Sequence, residues 1–248
     1  MNPARRPRPS WARMALAATM LLLVAAFVAL GVWQIQRRAW KHRLIAAVES
    51  RVHGAPVPAP GRATWDRITA DGDAYRRITA TGRFRHDRET LVRATTGLGS
   101  GYWVMTPLQT AGGFSLIVNR GFVPPEKRDP ASRAAGQVGG PVTVTGLLRV
   151  TEPGGGFLRA NDPAADRWYG RDIAAIAAAR GLKDAAPYFV DADAAPNPGG
   201  WPRGGLTVIS FPDNHLPYAL TWFGMALLSA WGAWWVLRDR ERGAKGEG

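Results

Sequence analysis

The chain has 248 residues, no cysteine, and 32 Lys and Arg against 19 Asp and Glu, a formal charge of +13. Without cysteine there is no disulfide, no thiolate nucleophile and no Cys-based metal site. The positive charge clusters beside apolar runs, a pattern of membrane topology and headgroup contact, and no helix-turn-helix, zinc or RNA-binding motif points to nucleic acid.

Residues 1–13 are a basic N-terminus carrying Arg5, Arg6, Arg8 and Arg13. Residues 14–35, MALAATMLLLVAAFVALGVWQI, are uncharged. About 20 helical residues cross the hydrocarbon core. The run outlasts a signal-peptide core of about 7–15 residues and no clear A-x-A site follows, so an uncleaved transmembrane helix is predicted. Residues 37–52 continue it as a basic amphipathic helix, and GAPVPAPG at 54–61, with Pro56, Pro58 and Pro60, breaks it.

Residues 36–214 are read as one β-rich domain. Strand-like alternation covers 75–84, 90–94, 102–108, 114–123 and 142–150, each bounded by Gly, Pro, Asp or Asn. Gly112-Gly113 reads as a hairpin turn, and the alternating Gly97, Gly99 and Gly101 suit another hairpin better than a phosphate cradle. Residues 126–140 form a polar loop. A short helix follows over 172–180, with Asp172 as N-cap and Gly181 as stop, then strands at 188–191 and 206–210. The predicted class is an α+β membrane protein, two transmembrane helices flanking a mainly antiparallel β barrel or sandwich with one short helix.

The second span is assigned to 215–237, with the uncharged run YALTWFGMALLSAWGAWWVL inside it. Asn214 is its predicted cap and Pro217 falls in its first turn; Trp231, Trp234 and Trp235 sit where an aromatic belt would lie. Residues 238–248 are a basic tail with Arg238, Arg240, Arg242 and Lys245. The flanks of the first span balance, Arg5, Arg6, Arg8 and Arg13 against Arg37, Arg38, Lys41 and Arg43, so the second span decides the topology. Both termini are then cytoplasmic, with the central domain on the outer, periplasmic face.

Chemistry is sparse. The four histidines, His42, His53, His86 and His215, include no H-E-x-x-H pair, and no G-x-S-x-G elbow occurs. Asp191 and Asp193 have no obvious partner, so no catalytic residue is assigned and the chain reads as a non-enzyme. One constellation stands apart: Asp213, Asn214 and His215, where the domain enters the second span. On a helix, His215, Tyr218, Trp222 and Ser229 fall near one stripe, and Ala219, Ala226 and Ala233 leave room there for a flat ligand or another helix. A neutral imidazole at that level can ligate haem iron, with Arg37, Arg38 and Arg203 as candidate propionate partners. Alternatively, His215 bonds a headgroup or a loop carbonyl. The residues alone leave both readings open.

The same residues carry a resemblance. LGVWQIQRRAWK at 30–41, with Trp33 and Gln34, NRGFVP at 119–124, NDPAADRWYGRDIAAIA at 161–177, YFVDAD at 188–193 and NHLPYALTWF at 214–223 occur in that order. The chain resembles the surfeit-locus-one family of cytochrome c oxidase assembly factors. The resemblance implies a factor that assists maturation of the catalytic subunit of a haem–copper oxidase, by binding and delivering haem a. It makes His215 the axial-ligand candidate, lined by Tyr218 and Trp222. The alternative is a docking scaffold that never binds haem. Implied partners are the oxidase catalytic subunit, haem a synthase and membrane lipid. Asn119, Arg120, Gly121 and Asn214 are read as structural, Arg120 in a buried or interfacial pair and Gly121 in a conformation other residues resist. The short basic stretch before the first span, with no transit-like segment, gives a bacterial inner membrane as the expected location.

Overall fold

The computed structural model describes residues 10–153, 159–209 and 213–244, so Arg5, Arg6, Arg8, Ser210 and Lys245 lie outside it, as do the side chains of Arg240 and Arg242. The chain divides into two compact units, Ala47–Ile209 and a terminal unit of Met1–Ala46 with Ser210–Gly248.

The terminal unit holds most of helix α1 (Ser10–His53), and a second long helix at the other end of the chain, His215–Ala244. Both are long and apolar enough to cross a membrane. The second runs past the predicted end at 237, since nothing in RDRERGA stops a helix. Its first amide, that of His215, donates to Asp213 Oδ1 at 3.1 Å, so the cap is Asp213's carboxylate and not the predicted Asn214 side chain.

Contacts between the two helices run in opposite order along them. Met20 meets Gly232, Phe27 stacks on Trp222 at 5.7 Å, Gly31 meets the Phe223 ring, and Gln34 meets His215. The helices are therefore antiparallel. Ala219, Ala226 and Ala233 are buried at seven-residue intervals on this contact side. The room left by the alanines is filled by α1, which is the helix alternative of the sequence reading.

The other unit is built on seven strands: β1 (Val57–Pro58), β2 (Arg77–Phe84), β3 (Thr90–Thr96), β4 (Gly99–Thr110), β5 (Ser115–Val123), β6 (Pro141–Val150) and β7 (Ala185–Ala192). Two short helices accompany them, α2 (Ala70–Asp73) and α3 (Ile173–Ala179); the long helix at 215–244 is α4. The order across the sheet is β1-β2-β6-β7-β5-β4-β3. A further pairing of Gly82–Phe84 with Leu108–Thr110 joins β2 to β4 and closes β2, β6, β7, β5 and β4 into a five-stranded barrel. Closure needs Gly82, because a Cβ there would stand 2.3 Å from the Gln109 carbonyl oxygen. Most ladders are antiparallel, while β1–β2 and β5–β7 are parallel.

Period-two alternation sorts the apolar residues. Ile78, Leu116, Val118, Leu148, Tyr188 and Val190 fill the barrel interior. Ile117, Phe189 and Met105 point outward and are covered by Ile173, Ile176 and Trp168. Every residue of β5 is buried: on its outer face Ile117 packs with Ile173 and Ile176 of α3, Asn119 bonds Asp191, and Gly121 lies against the Arg203–Gly204 backbone. Asp172 caps α3 through Ala175 N at 3.1 Å, and Gly181 ends it at φ +61°. The strand expected over 206–210 does not form in 206–209. That stretch follows Gly204-Gly205, and Thr207 Oγ1 donates to Asp191 Oδ2 at 3.0 Å, so it is held by a side chain, not by a ladder. Within the loop expected at 126–140 lies a 3₁₀ segment, Pro130–Gly136, which buries Arg133 against Glu89.

Candidate functional site

Each unit holds a polar cluster built from the motif residues. In the terminal unit, His215 Nδ1 lies 2.8 Å from Gln34 Oε1, a contact between residues 181 positions apart. An amide oxygen only accepts, so Nδ1 donates, and in the neutral imidazole that leaves the lone pair on Nε2. Nε2 has no hydrogen-bond partner among the described residues. Next to it, Asp213 Oδ2 accepts from Arg38 Nε at 3.0 Å and meets His42 Nε2 at 2.8 Å. The hydrogen bond from His42, with those from His215 N and Arg38, holds the Asp213 carboxyl down at about 2.

Of the residues singled out from sequence, the structure gathers His215, Gln34 and Arg38 here. The others stand apart from this bonding. Arg37 lies over the Trp40 ring at 4.1 Å, with no carboxylate in ion-pair range among the described residues. Trp222 is spent on Phe27, while Tyr218 and Trp33 are more than half exposed. Asn214 is exposed. Asp213, from the stretch the sequence reading singled out, and His42, which that reading did not place at the site, tie the start of α4 to α1. An imidazole with one nitrogen held and the other open fits an axial ligand to haem iron, and the orienting amide is the kind of partner metal-binding histidines use. The alanine stripe supplies no slot for a macrocycle, because α1 covers it.

Asn119, Arg120 and Gly121 belong to the barrel unit. Asn119 donates to Asp191 Oδ1 at 2.8 Å and accepts from Gly121 N at 3.1 Å. Gly121 has φ +122°, and a Cβ on it would stand 2.0 Å from Arg203 O, which explains the glycine. Arg203 exchanges backbone hydrogen bonds with Phe122 and lies over Trp201.

Asp191, which had no visible partner in the sequence, is the centre of a buried network. Besides Asn119 and Thr207 it accepts from Arg149 Nη1 at 3.0 Å and Arg171 Nη1 at 3.1 Å, and both arginines also bind Glu152. Burial lowers the Arg171 pKa, but Asp191 and Glu152 outweigh it, so the net shift is upward. Two arginines and two carboxylates balance, and the network joins β5, β6, β7 and the segment at 207. The signal was in the motif stretches holding Asp191 and Arg171; their meeting was not. Arg120 corrects the sequence reading. It makes no ion pair among the described residues, donating instead to Gly136 O and, at 3.1 Å, to Asn197 Oδ1.

A model of the SURF1 family matches residues 21–227. Surfeit locus protein 1 of Mus musculus is 36% identical over 228 residues, covering 86% of this chain and 72% of that protein. The Homo sapiens protein of the same name is 36% identical over 229 residues, 86% of this chain and 74% of its own. A SURF1-like protein of Monosiga brevicollis is 36% identical over 227 residues, 86% and 84% respectively. The matched stretch takes in the barrel unit, most of α1 and the first part of α4, through residue 227.

Proposed function

Because this chain belongs to the SURF1 family, we propose that it is a non-catalytic, membrane-anchored assembly factor for cytochrome c oxidase that receives haem a and passes it to the oxidase catalytic subunit. In this reading both termini lie on the cytoplasmic side of a bacterial inner membrane and the barrel unit on the periplasmic side; the basic residues from Arg238 onward support that orientation. Haem a synthase is the natural donor and the oxidase subunit the acceptor.

The contact of His215 Nδ1 with Gln34 carries the reading. It sets the imidazole at the end of a helix long enough to span a membrane and leaves Nε2 open to iron. Arg37, with no carboxylate partner among the described residues, is a cation available to a propionate, while Arg38 is held by Asp213. The isoprenoid tail remains in lipid beside the exposed apolar side chains of α4, such as Leu220 and Leu227. One histidine binds iron weakly enough to surrender it to a stronger site.

The test is absorption spectroscopy on protein purified from cells that make haem a. His215→Ala is expected to lower haem a retained per chain by about tenfold or more, with an unchanged melting temperature. A full Soret band on the folded variant removes His215 as the ligand. The docking-scaffold reading draws on the alanine stripe, whose space α1 fills. Native protein that carries no haem from such cells would favour it.

A further inference from the structure

Arg120 is odd in a way the proposed function does not use. Alternation along β5 puts it on the face of Leu116 and Val118, toward the barrel interior, and it is 3% exposed. Its Nη2 donates to Gly136 O and Asn197 Oδ1, and the guanidinium lies 4.8 Å from the Phe84 ring centre. No group among the described residues accepts from its Nη1. Glu89, a nearby acid, is taken by two hydrogen bonds from Arg133. His86 repeats the theme, with Nε2 bonded to Val138 O and Nδ1 buried with no partner among the described residues.

Burial pulls the Arg120 pKa down to about 10, so the guanidinium is still charged at neutral pH. A buried cation without its anion is among the more expensive groups a fold can hold, and an apolar side chain of the same length would avoid the cost. Arg120 also lines a cleft of about 200 Å³ at the barrel end, with walls from Phe84, Val118, Val138 and Val142. Asp193 lines it too; its Oδ1 accepts from Ala195 N and it pairs with no cation among the described residues.

We propose that this end of the barrel binds an organic carboxylate, a carboxyl group on a short apolar body, with Arg120 supplying the charge and the free N–H. A carboxylate presents two coplanar oxygens to the planar guanidinium, and the valines accept the body. The carboxylate comes either from a free small acid or from the end of a peptide.

The experiment uses the full chain in detergent and follows melting temperature and calorimetric titration. Sodium hexanoate stands for the free acid, with hexanol and hexylammonium as controls. Acetyl-Ala-Val-Val as free acid stands for the peptide end, with its amide as control. A saturable stabilisation by hexanoate or by the peptide acid, absent with the controls, is expected, and the probe that acts names the source. Arg120→Met removes a lone charge and is expected to fold, with affinity lowered by about tenfold or more. Asp193→Asn, which removes an opposing charge, is expected to keep or tighten binding. If Arg120→Met fails to fold, Arg120→Lys replaces it, and loss of the planar fork is still expected to weaken binding. No saturable response to either carboxylate, or an undiminished response in the Arg120 variant that folds, overturns the proposal.

Discussion

The helix pair and the barrel bury opposite kinds of residue. In the barrel unit the large apolar side chains face inward, Leu116, Leu148 and Tyr188 among them, as water demands. In the helix pair many leucines face out, Leu22 being 71% exposed and Leu227 73%, while the small Ala219 is 0% exposed. Lipid tails are as apolar as leucine, so no hydrophobic force drives two spanning helices together, and close packing of small residues does that work instead. The polar groups divide the same way. The barrel unit buries a charge-balanced network around Asp191, and the helix pair keeps its ionic group, Arg38–Asp213–His42, outside the apolar stretch.

The largest effect tests the barrel side. Asp191→Ala leaves Arg149 and Arg171 with one carboxylate between them in a buried setting, and is expected to cost about 3–5 kcal/mol, read as a fall in the melting midpoint of the barrel. A change under about 1 kcal/mol would mean that the network is solvated and the contrast overstated. Next comes the helix pair. In Gly31→Val a Cβ would sit 2.6 Å from the Phe223 ring, so about 1–3 kcal/mol of helix association is expected to be lost while the barrel melts as before. Cross-linking between cysteines introduced on the two helices reads this cleanly, since the chain has none of its own.

The smallest effect is electrostatic. The Asp213 carboxyl titrates at about 2 in the fold against an ordinary 3.8. A depressed carboxyl stabilises the fold above its unfolded value and loses that contribution as pH falls toward its folded one. The tie of Asp213 to α1 is thus expected to hold down to about pH 4 and to loosen from there toward pH 2. Spin labels at introduced cysteines near the ends of both helices would follow it by distance. Asp213→Asn should remove the pH dependence, and a transition of the native protein wholly above pH 5 would assign the tie to another group.

Much of this was legible in the sequence. Uncharged apolar runs gave both spans, period-two alternation gave six of the strands that form, and Asp172 with Gly181 bounded α3, because these are statements about neighbours along the chain. The motif segments pointed to the family that the comparisons support. The strand misread at 206–210 had the right residue types, but Thr207 bonds a buried carboxylate that no local pattern reveals.

Only the tertiary structure decided which strands meet. Alternation carries no direction, so the parallel β5–β7 pairing and the β2–β4 closure that makes a barrel could not be read from it. It also decided that Gln34 orients His215, that α1 and not a ligand fills the alanine stripe, and that Arg120 is buried with no ion pair among the described residues. Each is a contact between distant parts of the chain, fixed by how the whole packs and not by the residues on either side.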